Sequence, residues 1–127
     1  MKQEKFSLAA RIRSFRYALN GIRLLFREEH NARIHLAAAV VAVGAGFFFG
    51  ISPGEWAAVA VVIGLVFAAE AVNSSVEAVC DRLSPGYDEA VGRAKDLAAG
   101  AVLICALAAA VVGLLIFVPK LYSLFCL

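Results

Sequence analysis

Residues 97–118 read LAAGAVLICALAAAVVGLLIFV, a run without a charged side chain. A helix needs about 20 apolar residues to cross a bilayer, so this run predicts a membrane span, placed at 95–119. Two more spans are predicted at 34–51 and 55–81. Of the 127 residues 62% are hydrophobic and only 17% are charged, which is too apolar for a soluble domain of this size. We therefore predict an all-α integral membrane protein with one domain, 1–127.

The N-terminal segment 5–30 has a different pattern, in which apolar residues recur every three or four positions and arginines follow one position later. This is typical of an amphipathic helix lying in the membrane interface, although an Arg-rich anchor with no further role is an alternative. The arginines precede the first span, whereas the turn ISPG at 51–54 contains neither Lys nor Arg. The bias predicts a cytoplasmic N-terminus in a multi-pass plasma-membrane protein.

Charge and cysteine content argue against several functions. A net charge of +2 without a basic patch gives no indication of nucleic-acid binding. The three cysteines are odd in number and widely spaced, so neither a disulfide framework nor a zinc site is predicted. His30 and His35 lack the spacing of an HExxH zinc motif.

Acids and amides interrupt the second predicted span in the run EAVNSSVEAVCD, residues 70–81. At about 100° per residue, Glu70, Asn73, Glu77 and Asp81 fall within roughly 80° of one another and form one polar stripe. Ionisable groups at membrane depth are costly and usually functional. Glu70, among Ala and Val, suits a general base, and its alternative is a structural pair with a neighbouring helix. Glu77, closer to water, suits a magnesium ion.

Other polar residues near the stripe leave more than one interpretation open. Asn73 could orient a hydroxyl or phosphate oxygen, or form a purely interhelical hydrogen bond. Asp81 could bind a ligand or merely mark the helix end. Lys95, beside Asp96 at the start of the third span, could meet polyphosphate or simply extend its charge to the interface. Glu29, before the first span, could complete a metal site with the stripe.

A buried base, oxygen ligands for a metal and a lysine for phosphates together describe phosphoryl transfer to a lipid hydroxyl, a reaction that depends on positioning and charge neutralisation. The sequence has no GxxxxGK[ST] loop. A different class, a small proton-coupled transporter subunit, would need Glu70 but not Glu29, Lys95 or Asp96. A structural or regulatory membrane peptide does not account for the polar stripe.

The pattern ExxNSxxExxxD at 70–81, the AKD at 94–96 and the EHNARIH at 29–35 closely resemble the small bacterial integral-membrane diacylglycerol kinase family, which includes undecaprenol kinases. The resemblance implies a homotrimer of three-span protomers, each with an N-terminal surface helix, whose active sites are shared between neighbours. It also implies ATP and Mg²⁺ as cofactors. Glu70 would then be the general base, Asn73 would orient the reacting groups, and Glu29 and Glu77 would hold the metal.

The resemblance further implies two sets of binding residues. Those for the nucleotide are Tyr17, Glu29, Glu77, Asp81, Pro85, Gly86, Tyr87, Lys95 and Asp96. Those for the lipid are Arg13, Ser14, Arg23, Trp56 and Ala99.

Two positions depart from family members specialised for diacylglycerol. Ala10 stands where those members often carry an arginine, for which Arg11 or Arg13 could substitute, and His35 stands where they carry an acid. His35 and the tail LLIFVPK at 114–120 look more like the members that include undecaprenol kinases. The expected reaction is phosphorylation of diacylglycerol to phosphatidic acid, with undecaprenol as the alternative acceptor.

Overall fold

The computed structural model describes residues 5–126 and folds them into four α-helices. In chain order they are α1 (Leu8–Glu28), α2 (His30–Phe49), α3 (Pro53–Leu83) and α4 (Glu89–Phe125). The last three are long and apolar enough to cross a membrane. An all-helical chain with three candidate spans is thereby confirmed. The outermost residues of the predicted domain 1–127 lie outside the described residues.

One residue, Glu29, separates α1 from α2, and its extended backbone ends the first helix (φ −104°, ψ 117°). Arg33 in the first turn of α2 stabilises this break. Its Nε donates to the carbonyl of Phe26 at 2.9 Å, and its guanidinium also donates to the carbonyl of Arg27. The last carbonyls of a helix have no partner within it, so this arginine supplies one. The chain therefore enters α2 directly, without the short linker that the predicted bounds 5–30 and 34–51 leave.

Helix α1 packs on the other helices mainly through its last turn. Leu25 is buried, and the ring of Phe26 contacts that of Phe67 on α3 in an edge-on arrangement, with centroids 5.2 Å apart. Toward its N-terminus, apolar side chains such as Phe15 and Leu19 are largely exposed. These side chains are accessible to lipid or to another chain.

The turn between α2 and α3 follows the ISPG motif. Gly50 ends α2 with φ +60°, a left-handed conformation that glycine adopts without Cβ strain. Ser52 and Glu55 form a reciprocal capping box, in which each side chain accepts a hydrogen bond from the other's backbone N–H. Pro53 occupies the first helical position, where its missing N–H costs nothing.

Close approach of α2 and α3 depends on Gly46. A Cβ at this position would lie 2.6 Å from Cη2 of Trp56. Overpacking of this kind typically costs about 1–3 kcal/mol, so we expect Gly46→Ala to lower the thermal unfolding midpoint in detergent. Gly44→Ala is the matched control, because a Cβ there meets nothing within 4 Å, and it should leave the midpoint unchanged or slightly higher. Equal midpoints for the two variants would contradict this packing.

Helices α3 and α4 form the most extensive helix pair. Near the α2–α3 turn, Val59 and Ile116 are buried in the apolar core. At that end Lys120 Nζ lies 3.2 Å from Glu55 Oε2, and at the other end Lys95 Nζ lies 2.8 Å from Asp81 Oδ1. Exposed ion pairs contribute only about 0–1 kcal/mol each. They join the two antiparallel helices at both ends.

The connection between α3 and α4 is shorter than the stretch 82–94 that the predicted spans 55–81 and 95–119 leave between them, because only 84–88 lie outside helices. Asp88 accounts for the difference, since its Oδ1 accepts a hydrogen bond from the backbone N–H of Val91 at 3.0 Å and caps α4. Helix α4 therefore begins ahead of the predicted span 95–119. It also continues through Pro119 to Phe125.

Candidate active site

The polar stripe of α3 runs from the buried interior to an exposed helix end. Glu70 is 1% exposed, Asn73 and Glu77 are half-buried, and the side chain of Asp81 is 67% exposed. The 31 residues of α3 extend about 46 Å at 1.5 Å per residue, more than the ~30 Å of a bilayer's apolar core. The last turns of α3 can therefore stand among the lipid headgroups while Glu70 stays among apolar groups.

Glu70 faces a histidine on the neighbouring helix. Its Oε1 lies 3.2 Å from Nε2 of His35, whose side chain is 26% exposed. The two atoms are close without the alignment of a hydrogen bond, and within the described residues Oε1 has no hydrogen-bond partner. If Glu70 has a structural role in pairing with a neighbouring helix, its partner is therefore His35.

Two more buried oxygen atoms of α3 lack a hydrogen-bond partner in the described part of the chain, Oδ1 of Asn73 in the stripe and Oγ of Ser74, the next residue. A buried unsatisfied polar group costs about 1–3 kcal/mol. The interhelical hydrogen bond considered for Asn73 is therefore not formed by its Oδ1. A ligand or a second chain that donates hydrogen bonds here would satisfy groups that this chain leaves open.

Lys95 and Asp81 form the contact between helices at the exposed end of the stripe, through the 2.8 Å ion pair. Asp81 therefore pairs with Lys95, a contact that neither of the two roles considered from the sequence included. Asp96, the next residue on α4, lines a different and shallow depression of about 460 Å³ together with Arg93 and Leu97. Lys95 and Asp96 are thus neighbours in sequence that serve different faces of α4.

Glu29 lines a groove of about 670 Å³ between α1 and α3. Glu28, Glu29, Ser74 and Ser75 supply its polar groups, and the rest of the lining is apolar. Within residues 5–126 no three His, Cys, Asp or Glu side chains come together as a metal cluster. Mg²⁺ commonly uses one or two protein carboxylates and completes its shell with water and substrate phosphates. Glu29 and Glu77 fit that requirement chemically.

Other nucleotide candidates stand apart from the stripe in a single chain. Tyr17 on α1 is 71% exposed and Tyr87 in the loop is 92% exposed. Pro85 and Gly86, in the same loop, are exposed as well. These side chains have surface available for a ligand or for a neighbouring chain.

The lipid candidates are dispersed. Arg13, Ser14 and Arg23 are exposed on α1, where the Ser14 hydroxyl donates to the carbonyl of Ala10. Ala99 is exposed on α4. Trp56 packs against α2 near the start of α3, at the end of that helix far from Asp81. Fourteen residues separate Trp56 from Glu70, about 21 Å along the helix. Trp56 therefore cannot touch the same part of a lipid as Glu70.

The sequence model of the prokaryotic diacylglycerol kinase family matches residues 16–117, which include Glu29, the whole polar stripe and Lys95. The chain belongs to this family. The resemblance drawn from the motifs is confirmed.

Characterised relatives of this family member carry two names. It is 36% identical over 120 residues to the undecaprenol kinase of Bacillus subtilis, a match that covers 94% of this chain and 98% of that protein. It is 38% identical over 112 residues to the diacylglycerol kinase of Synechocystis, covering 87% of this chain and 64% of that protein. The diacylglycerol kinase of Escherichia coli K12 is 31% identical over 100 residues, covering 79% and 82%.

Sequence reasoning about this diacylglycerol kinase family member missed the contact between His35 and Glu70. A signal was present, since His35 is the only polar side chain of α2 beyond Arg33. An ionisable side chain within an apolar span is usually functional, so the position of His35 could have indicated this contact. The pairing of Glu55 with Lys120 was missed too, and only the register of α3 against α4 reveals it.

Proposed function

We propose that this chain is a membrane lipid kinase that transfers the terminal phosphoryl group of ATP to a lipid hydroxyl in the presence of Mg²⁺. The proposal rests mainly on the burial of Glu70, whose carboxylate is almost fully buried on a candidate membrane span. Nearby oxygens of Asn73 and Ser74 lack hydrogen-bond partners among the described residues. Membership of the prokaryotic diacylglycerol kinase family supports this chemistry.

Each part of the proposed site has one task. Glu70 accepts the proton of the lipid hydroxyl as its oxygen attacks the terminal phosphorus, and Asn73 orients the reacting groups. Burial of Glu70 excludes water from the base, where water would otherwise compete as the acceptor. Glu29 and Glu77 would hold the magnesium ion, which neutralises phosphate charge when bound.

The nucleotide would occupy the exposed end of the stripe. Lys95 supplies a positive charge there, already held at the α3–α4 junction by Asp81. We assign Tyr17 and the loop residues 85–87 to the same nucleotide site. Asp96, on a different face of α4 from Lys95, would join this site across the boundary with a neighbouring protomer. Because the two tyrosines are highly exposed in one chain, the proposal places them against a neighbouring protomer.

We further propose a homotrimer whose active sites are shared between neighbours, with the N-terminus in the cytoplasm. Helix α1 would lie in the interface as an amphipathic surface helix, within the predicted segment 5–30. The arginines that precede α2 and their absence from the turn at 51–54 support this orientation. In this arrangement Arg13, Ser14 and Arg23 contact lipid headgroups, and Ala99 and Trp56 contact the apolar part of the membrane lipid.

Diacylglycerol is the acceptor we propose first, in keeping with the family as a whole. Undecaprenol is the second candidate, because the match to the Bacillus subtilis undecaprenol kinase spans nearly the full length of both chains. Purified protein in mixed micelles, offered both lipids at equal mole fraction, decides between them. A higher kcat/KM for one lipid identifies the acceptor, and transfer to neither would refute the proposed function.

A metal role for Glu77 predicts a changed magnesium dependence. We expect Glu77→Ala to raise the magnesium concentration needed for half-maximal activity about tenfold or more, because loss of even an outer-shell partner typically costs about 10–100-fold in metal affinity and Glu77 is proposed as a direct ligand. Titration of Mg²⁺ at fixed ATP and lipid measures the shift. Glu89→Ala, at an exposed carboxylate in the first turn of α4, is the control. An unchanged titration in Glu77→Ala would remove this residue from the metal site.

A further inference from the structure

Glu70 must lose the proton it gains in each turnover, yet its side chain is 1% exposed. A base that water cannot reach needs a second group to carry the proton away before the next lipid binds. The need for this step rests on the proposed function, because it arises only if Glu70 deprotonates the lipid.

His35 meets the requirements for that second group. Its Nε2 lies 3.2 Å from Oε1 of Glu70, the carboxylate oxygen that has no hydrogen-bond partner among the described residues. Its side chain is 26% exposed, so the ring connects the buried carboxylate to the surface of this chain, five residues from the first residue of α2. Histidine also exchanges protons near neutral pH, unlike other side chains in their ordinary state.

Among the described residues, the cavity beside His35 contains no second side chain that could accept a proton. His35 lines a cavity of about 270 Å³ between α2, α3 and α4, and no other lining side chain carries an ionisable group. The remaining walls are alanine, glycine, valine, isoleucine and phenylalanine side chains such as Ala38, Val66 and Phe67. His35 is therefore the one ionisable side chain in the described part of the chain that lines this cavity.

We propose that His35 is the positioning residue that returns Glu70 to its ionised form by accepting its proton. During transfer the lipid O–H bond breaks, its proton moves to Oε1 of Glu70, the lipid oxygen bonds to phosphorus, and the bond from phosphorus to the departing nucleotide oxygen breaks. Afterwards the O–H bond on Glu70 breaks and the proton bonds to Nε2 of a neutral His35 ring that carries its own proton on Nδ1. The ring then releases one proton to water, and both residues regain their starting forms.

His35→Gln tests this role directly, because glutamine keeps a polar side chain of similar reach but cannot take up a proton. We expect kcat for phosphoryl transfer to fall about 10- to 100-fold, in the range of proton-transfer contributions. The KM values for lipid and ATP should stay within about twofold, since neither substrate touches His35 in the proposed site. His30→Gln is the matched control, at an exposed histidine that begins α2, and should retain wild-type kcat.

Chemical rescue separates proton transfer from packing. In His35→Ala the missing ring enlarges the adjoining cavity, so added imidazole should restore kcat in a concentration-dependent manner. Pyrrole has nearly the same shape but is not a base, and it should not restore kcat. Rescue by both compounds, or a rise in KM with unchanged kcat, would assign His35 a packing role only and overturn the proposal.

Wild-type protein in the same assay distinguishes a failure of the proposed His35 role from a failure of the proposed function. If wild type transfers phosphate to lipid and His35→Gln keeps full kcat, the role of His35 is refuted and the proposed function stands. If wild type transfers none, the proposed function itself fails.

Discussion

Glu70→Gln is expected to remove phosphoryl transfer almost completely, lowering kcat by at least about 100-fold, as loss of a general base does. Glutamine preserves the size of the side chain in a site where Glu70 is 1% exposed, so it removes the proton acceptor and little else. ATP binding should remain within about twofold of wild type, because the nucleotide is assigned to the other end of the stripe. Transfer of labelled phosphate and equilibrium binding of a fluorescent ATP analogue measure the two effects.

The same substitution at an exposed carboxylate provides the comparison. Glu89 lies in the first turn of α4 and outside the proposed site, so Glu89→Gln should keep wild-type kcat. If Glu70→Gln turned over as fast as Glu89→Gln, Glu70 would be a structural partner of His35 and the base would have to be sought elsewhere.

Lys95→Met is expected to raise the KM for ATP strongly. A charge-assisted contact is worth roughly 1.5–3 kcal/mol, which corresponds to a rise of about 10- to 150-fold in KM for ATP. Asp81→Asn should have a smaller effect on this KM, because it removes the partner of Lys95 but leaves the positive charge for phosphate. Steady-state kinetics with ATP varied at saturating lipid compare the two variants.

Lys120→Met is the matched control for this prediction. Lys120 pairs with Glu55 at 3.2 Å and joins the same two helices at their opposite end. The substitution removes one lysine and one α3–α4 ion pair but leaves the proposed nucleotide site intact, so KM for ATP should not change. Equal increases for Lys95→Met and Lys120→Met would show that the ion pairs act through helix register and that Lys95 does not contact the nucleotide.

The spans and the polar stripe followed from local pattern alone. The run 97–118 lacks charges, and helical periodicity placed Glu70, Asn73, Glu77 and Asp81 on one face; burial then decreases along α3 from Glu70 to Asp81. The early start of α4 could also have been predicted from the sequence, since Asp88 followed by Glu89 is a common start of a helix.

Contacts between helices did not follow from local pattern. His35 and Glu70 are far apart in the sequence, and their 3.2 Å approach depends on how α2 crosses α3, which hydrophobic periodicity does not determine. The same applies to the break at Glu29, where Arg33 reaches back to carbonyls of α1. Tyr17 and Tyr87 show a different limit, because side chains that are 71% and 92% exposed in one chain would gain partners only in the proposed trimer.

The proposed lipid kinase activity is tested most directly by transfer of terminally radiolabelled phosphate from ATP to lipid by the purified protein in mixed micelles, followed by organic extraction. With Mg²⁺ present, we expect labelled lipid phosphate from wild type and almost none from Glu70→Gln. Label confined to the aqueous phase in both samples would contradict a lipid kinase. Proton flux through wild-type protein in vesicles, lost in Glu70→Gln, would then favour the proton-coupled transporter.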